Sequence, residues 1–136
     1  MKFLQGLREP SFLLLRATAA LTFAFHGMQK IFGLWSDFRP AFPTQLWFGG
    51  VIEIAAGALM AVGLWTRCAA FIASGTMAVA YAQFHWKLEF GKRFFPGINE
   101  GELALIYSLL FLYFACRGPG PYSVDAKLRG VRAAPL

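Results

Sequence analysis

Residues 46–65 read LWFGGVIEIAAGALMAVGLW, and this stretch decides the predicted fold. It is long enough to cross a bilayer, which takes about 20 apolar residues. Glu53 is its one ionisable residue. A charge at that depth costs roughly 2.5–3.5 kcal/mol, so we expect Glu53 to face protein and to have a partner. Gly49 and Gly57, one helical turn on either side, share its face, and Gly50 widens this small-residue surface. Such a surface allows a neighbouring helix to approach closely.

The composition of the chain indicates an integral membrane protein. Of its 136 residues, 57% are hydrophobic and only 15% are charged, whereas soluble domains carry about 25% charged residues. The net charge of +6 fits lysine and arginine at the cytoplasmic face and against anionic lipid, rather than nucleic acid. We expect one domain over residues 1–125 and a basic cytoplasmic tail over residues 126–136.

The apolar runs and the breakers between them predict an all-α protein, a four-helix bundle with up-down-up-down topology. The four expected helices lie at about residues 11–32, 46–65, 69–86 and 100–116. Lysine and arginine favour the side that holds both termini, and we therefore expect both termini in the cytoplasm. That side carries Lys2, Arg8, Arg67, Arg117, Lys127, Arg129 and Arg132, whereas the opposite side carries Lys30, Arg39, Lys87, Lys92 and Arg93.

The predicted topology brings one ionisable group from each helix into the outer leaflet. These candidate catalytic residues are His26, Glu53, His85 and Glu102, and candidate ligand-binding residues near the same layer are Lys30, Tyr81 and Asn99. Two interpretations stay open: the groups satisfy one another and fix the bundle, or they form a polar pocket for a ligand. In the first, Glu53 pairs with His26 or Lys30, Asn99 is the N-cap of the fourth helix, and Glu102 completes the cap.

A metal site is not expected in this layer. Two histidines and two glutamates are acceptable ligands, but no two of them have a ligand spacing within one helix, such as Glu-x-x-His. Cys68 and Cys116 both lie at the inner end of the bundle, where a reducing compartment favours free thiols.

Arg16 is a separate structural polar residue in the inner leaflet. Asp125 is the one acidic residue after the fourth helix. A pair between them would fold the tail under the bundle; alternatively, Arg16 extends to the inner headgroups.

An ordered set of short motifs resembles the DoxX family of small bacterial inner-membrane proteins. The motifs are LR at 15–16, HGMQKIFG at 26–33, GGVIE at 49–53, GLWTR at 63–67, NEGELAL at 99–105 and GPGPYSVD at 118–125. The resemblance implies four transmembrane helices and cytoplasmic termini. It also implies a link to membrane redox complexes, because some members look like subunits of thiosulfate–quinone oxidoreductases. No catalytic motif can be carried over residue by residue.

Three functions are compatible with these residues. The first is an oxidoreductase subunit that binds a quinone or a small electron donor in the outer leaflet, where Glu53 or His26 takes up and releases protons. The chain has no flavin fingerprint and no Cys-x-x-Cys, so electrons would come from a redox partner protein. The alternatives are a non-catalytic assembly protein and a small transporter subunit. Membrane lipids and a second copy of the chain are further expected partners.

Overall fold

The computed structural model describes residues 2–130, and the regular elements in this part of the chain are all helical. Residues 2–130 contain seven α-helices: α1 (Lys2–Gly6), α2 (Arg8–Phe32), α3 (Gln45–Val62), α4 (Thr66–Ala80), α5 (Pro96–Asn99), α6 (Glu102–Arg117) and α7 (Val124–Leu128). A π-helix (Tyr81–Trp86) continues α4, and a 3₁₀ turn covers Lys92–Phe94. The all-α prediction is confirmed. The four predicted helices overlap the four longest ones, but the count of four is not confirmed, because α1, α5 and α7 are additional short helices.

Local sequence signals set the ends of α3. The Thr44 side chain accepts a hydrogen bond from the backbone N–H of Trp47 and caps the start. Gly63 adopts φ +75° and closes the end, where its N–H donates to the carbonyl of Leu59. The helix therefore ends at Val62 and not at residue 65, as the apolar run alone suggested.

Two helices, α2 and α3, are long and apolar enough to cross a membrane by the criteria of length and composition. Helices α4 and α6 are shorter than these two, with 15 and 16 residues. The π-helix lengthens α4 without interruption to Trp86.

Helices α2 and α3 pack closely along a surface of glycine and alanine. A Cβ placed on Gly57 would lie 2.7 Å from the carbonyl oxygen of Ala20, and one placed on Gly27 would lie 2.5 Å from that of Gly50. A Cβ on Gly49 would meet nothing within 4 Å. The predicted close approach is therefore present, but Gly50 and Gly57, two turns apart, form it, and Gly49 lies outside it.

An aromatic core joins α6 to α2. Phe23 and Phe111 are fully buried, with ring centroids 4.8 Å apart, and Phe114 packs edge-on against Phe12 at 5.5 Å. Ser74 of α4 donates to the carbonyl of Ser108 of α6 at 2.7 Å. The core thus takes residues from all four long helices and holds them as one unit.

Arg16 anchors the segment after α6, but not through the predicted partner. Its guanidinium donates to the carbonyl oxygens of Pro119 and Tyr122. No ion pair joins it to Asp125 within residues 2–130. The side chain is 1% exposed, so the alternative of extension to the headgroups is also wrong. Backbone carbonyls turned inward by the Pro-Gly-Pro turn provide the acceptors that the sequence did not reveal.

Asp125 binds the turn between α3 and α4. Its two carboxylate oxygens accept from the backbone N–H groups of Trp65 and Thr66, each at 3.0 Å. Burial would raise the pKa of this carboxyl, but the hydrogen bonds from Thr66 and Trp65 and the nearby charge of Arg129 together outweigh burial, and the pKa lies below its usual value. Asp125, which lies in α7, therefore fixes residues 124–128 against the molecule. Residues 131–136 of the predicted tail, including Arg132, lie outside the described residues.

Candidate functional site

The centre of the candidate site is an ion pair between α2 and α3, in which Glu53 is buried and Lys30 is partly exposed. Lys30 Nζ donates to Glu53 Oε1 at 2.5 Å, and the Glu53 side chain is 5% exposed. The close glycine packing explains the contact, because it brings the end of α2 against the first turns of α3. The second carboxylate oxygen, Oε2, is buried and has no hydrogen-bond partner among the residues that the structure describes. A buried oxygen of this kind is costly unless a ligand or water satisfies it.

An apolar cavity of about 290 Å³ lies on one side of this pair, between α3 and α4. Glu53 and Lys30 line it together with Gln45, Leu46, Phe48, Gly49, Ile52, Gly75, Thr76, Val79, Ala80 and Phe84. Phe48, Val79 and Phe84 are about half exposed, so the cavity opens on the apolar outer surface. Its volume is close to the lower end of the range for small-molecule sites, roughly 300–1,000 Å³.

A polar cavity of about 210 Å³ lies on the other side of the pair. Glu53 and Lys30 line it together with Phe23, His26, Met77, His85, Glu100, Leu103, Ala104 and Tyr107. Lys30 and Glu53 are the two residues that line both cavities. The ion pair therefore borders both cavities, and the polar cavity differs from the apolar one by its titratable side chains.

The two candidate histidines line the polar cavity without a recorded hydrogen bond to Glu53. His26 Nδ1 lies 3.2 Å from Gln29 Oε1, one turn further along α2. His85, in the π-helix, has Nδ1 3.2 Å from the carbonyl oxygen of Asn99. Both side chains are half-buried, so each connects the cavity with the surface of the protein.

Three of the predicted site residues line neither cavity, namely Tyr81, Asn99 and Glu102. Asn99 donates to Tyr81 Oη at 3.4 Å and to the carbonyl of Arg93 at 2.7 Å, and it accepts from Gly101 N at 2.8 Å. It is the last residue of α5, and Gly101 is the N-cap of α6, so the predicted Asn99–Glu102 cap is wrong. The reversal at Glu100, which adopts φ +59°, separates the two helices. Glu102 is exposed.

Two polar residues of this site were not predicted from the sequence. Glu100, and not Glu102, is the exposed glutamate that lines the polar cavity. Tyr107 lies at its buried end and makes a 2.7 Å hydrogen bond with the hydroxyl of Thr22. The sequence did indicate its partner Thr22, because Thr22, His26 and Lys30 are spaced four apart and share a face of α2.

The donor set fits an amphipathic organic ligand better than a metal ion. Within residues 2–130, no three His, Cys, Asp or Glu side chains are grouped so that they could hold a metal. Lys30 offers donors, the orphaned Glu53 oxygen offers an acceptor, and the adjoining cavity walls are apolar. This combination can hold a polar head beside the ion pair and an apolar body along α3 and α4.

Comparisons with known proteins agree with the sequence motifs. The family model for DoxX matches residues 11–86. The chain is also 43% identical over 124 residues to a protein of Haemophilus influenzae described as "Uncharacterized protein", covering 88% of this chain and 92% of the relative. No solved structure matches the chain. The motifs, the apolar helices and these two matches together place the chain in the DoxX family, as a membrane protein.

Proposed function

We propose that the four long helices α2, α3, α4 and α6 all cross the bacterial inner membrane, with both termini in the cytoplasm. An even number of spans puts both termini on one side, and the excess of lysine and arginine favours the cytoplasm for that side. The loops between α2 and α3 and between the π-helix and α6 then form the outer end, which we call the loop end. The short α6 is accommodated by tilt or local thinning of the bilayer.

In this topology, the protein acts as a subunit of a membrane redox complex, and its apolar cavity binds a quinone. The observation that carries this proposal is the Lys30–Glu53 pair with the unpartnered Glu53 Oε2, at the end of an apolar cavity that opens on the lipid-facing surface. A quinone has an apolar body and a polar head with two carbonyl oxygens, which accept hydrogen bonds. When it takes up two electrons and two protons, these oxygens become hydroxyl groups, and one of them can donate to Glu53 Oε2.

Each residue of the cavity has a distinct part in this proposal. Lys30 donates a hydrogen bond to a carbonyl of the head, and Glu53 keeps the ammonium in place and exchanges protons at Oε2. The apolar side chains Phe48, Ile52 and Phe84 bury the ring and the start of the tail. Electrons come from a redox partner protein, because the sequence contains neither a flavin fingerprint nor a dithiol motif.

Quinone retained during purification tests this proposal. The wild type and three variants are extracted from membranes in mild detergent, and quinone is quantified per mole of protein after solvent extraction. We expect Glu53→Gln and Lys30→Met to lose most of the bound quinone. Glu102→Gln, which removes an exposed carboxylate at the same end, is the matched control and should retain it.

The assembly function predicts a different result. If the ion pair only fixes helix packing, wild type and variants carry the same background of quinone, and Glu53→Gln changes thermal stability alone. Equal quinone content in all four proteins would therefore reject the quinone proposal. Co-purification would then be used to identify the protein that this chain helps to assemble.

A further inference from the structure

The buried carboxylate of Glu53 faces two different environments. Only Lys30 shares this position with it, since no other described residue lines both cavities. On the apolar side, the nearest polar side chains are the amide of Gln45 and the hydroxyl of Thr76, neither of which gains or loses a proton near neutral pH. Protons for Glu53 must therefore be supplied from another direction.

The polar side carries titratable groups from every element that surrounds it except α4, which contributes Met77. The groups are His26 and Lys30 from α2, Glu53 from α3, His85 from the π-helix, Glu100 from the turn before α6 and Tyr107 from α6. They form a gradient of exposure: Glu100 is exposed, the two histidines are half-buried, and Tyr107 is buried. Imidazole is the side chain that exchanges protons most readily between pH 5 and 8.

We infer that the polar cavity is the route by which Glu53 exchanges protons with the aqueous phase at the loop end, with Glu100 and His85 at its entrance and His26 beside the ion pair. The apolar cavity on the other side of the pair stays open to lipid. The geometry thus separates access for protons from access for an apolar ligand, and the carboxylate of Glu53 is common to both.

The π-helix supports this assignment of the entrance. It widens the end of α4 over Tyr81–Trp86, at the place where His85 lines the cavity. Irregular turns of this kind recur at functional sites, because they re-aim a side chain and free backbone groups. Here the His85 ring is held against the carbonyl of Asn99, next to Glu100 in the chain.

This inference deepens the proposed function, because quinone reduction takes up protons, but its test does not require a quinone. Time-resolved infrared spectroscopy after a drop in pH follows the carboxyl band of Glu53 in protein reconstituted in liposomes. Glu53→Gln identifies the band by its loss. The rate at which the band appears is then the rate of proton uptake at Glu53.

Two pairs of variants decide which cavity carries the proton. We expect the double variant His85→Gln/Glu100→Gln to slow uptake by roughly tenfold or more, since positioned acid–base groups accelerate proton transfer by at least that factor. Leu103→Trp, which narrows the polar cavity without removing a titratable group, should slow it as well. Val79→Trp, the matched change in the apolar cavity, should leave the rate unchanged, as should Glu102→Gln.

Three results would overturn the inference. They are the absence of a Glu53 band at any pH, an unchanged rate in both polar-cavity variants, and slowing by Val79→Trp alone. Quinone content measured on the same preparations keeps the two proposals apart. Slowed uptake with no bound quinone rejects the quinone proposal and leaves the proton route, whereas bound quinone with an unchanged rate does the reverse.

Discussion

At the scale of single residues, buried charges that bind backbone groups hold together the end of the molecule opposite the loop end, which we call the terminal end. Arg16 donates to two carbonyls of the segment after α6, and Asp125 accepts from two N–H groups at the start of α4. The direct hydrogen-bond partners of both charges are backbone groups, and no ion pair within residues 2–130 joins the two side chains. Hydrogen bonds to charged groups are the stronger kind, with net contributions of about 1.5–3 kcal/mol.

Asp125→Asn should therefore destabilise the protein in a pH-dependent way. Because the pKa of Asp125 is lower in the folded state, its stabilising effect is fully present above the ordinary value near 4 and is lost as the pH falls below it. We expect a loss of about 1–3 kcal/mol at pH 7 that shrinks towards pH 3. Thermal unfolding in detergent at both pH values measures it, with Asp37→Asn in an exposed loop as the control. A difference independent of pH would contradict this account.

Some of these residues could be predicted from the sequence and others could not, for physical reasons. Glu53 was recognisable because a carboxylate is conspicuous in an apolar span, and its partner lay among the groups predicted for the same leaflet. Glu100 was not distinguishable from Glu102, because the left-handed turn at Glu100, which the sequence did not indicate, lies between α5 and α6 where Glu100 lines the polar cavity. Tertiary contacts with backbone carbonyls, such as those of Arg16, leave no mark in a side-chain pattern.

At the scale of elements, the helical face that carries each glycine decides which helices pack closely. Gly50 and Gly57 lie against α2, whereas Gly49, the residue before Gly50, has open space around it. The sequence predicted a close approach from the glycines of α3, but not Gly27, which forms the other side of it. The π-helix was also missed, because Tyr81–Trp86 contains no proline or glycine to indicate an irregular turn.

Two of the three glycines of α3, Gly57 and Gly49, give a matched comparison. Gly57→Ala places a methyl group 2.7 Å from the Ala20 carbonyl oxygen and the Ala24 Cβ, and we expect a loss of about 1–3 kcal/mol from overpacking. Gly49→Ala meets no atom within 4 Å and should be neutral or stabilise by about 0.5–1 kcal/mol, because alanine favours the helix. Thermal melts in one detergent compare the two, and equal effects would show that the packing differs from this description.

At the scale of the whole molecule, polar contacts tie the helix ends together at the terminal end, whereas the loop end contains the Lys30–Glu53 pair and the two cavities beside it. Arg117 at the end of α6 binds both carboxylate oxygens of Glu9, at 2.7 and 2.8 Å, and its guanidinium lies 3.4 Å from the centre of the Phe12 ring. Composition was sufficient to predict a helical membrane protein. The fixed position of the segment after α6 was not predictable, since its contacts join residues that are 59 to 106 positions apart in the sequence.

Reporter fusions test the proposed orientation. Fusions after Met1 and after Leu136, which lie outside the described residues, should report the cytoplasm, because four spans return the chain to its starting side and the positive charge favours that side. A fusion within residues 33–44 should report the opposite compartment. A periplasmic signal from either terminus would refute this topology.

Photolabelling with an azido-quinone in liposomes tests the central claim most directly, namely that an amphipathic ligand binds beside Glu53 in the cavity between α3 and α4. Peptide mass spectrometry locates the label, and excess unlabelled quinone provides the competition. The account predicts saturable label on α3 and α4 at residues that line the apolar cavity, and its loss in Glu53→Gln but not in Glu102→Gln. Label spread evenly over the lipid-facing residues of all helices, without competition, would contradict it.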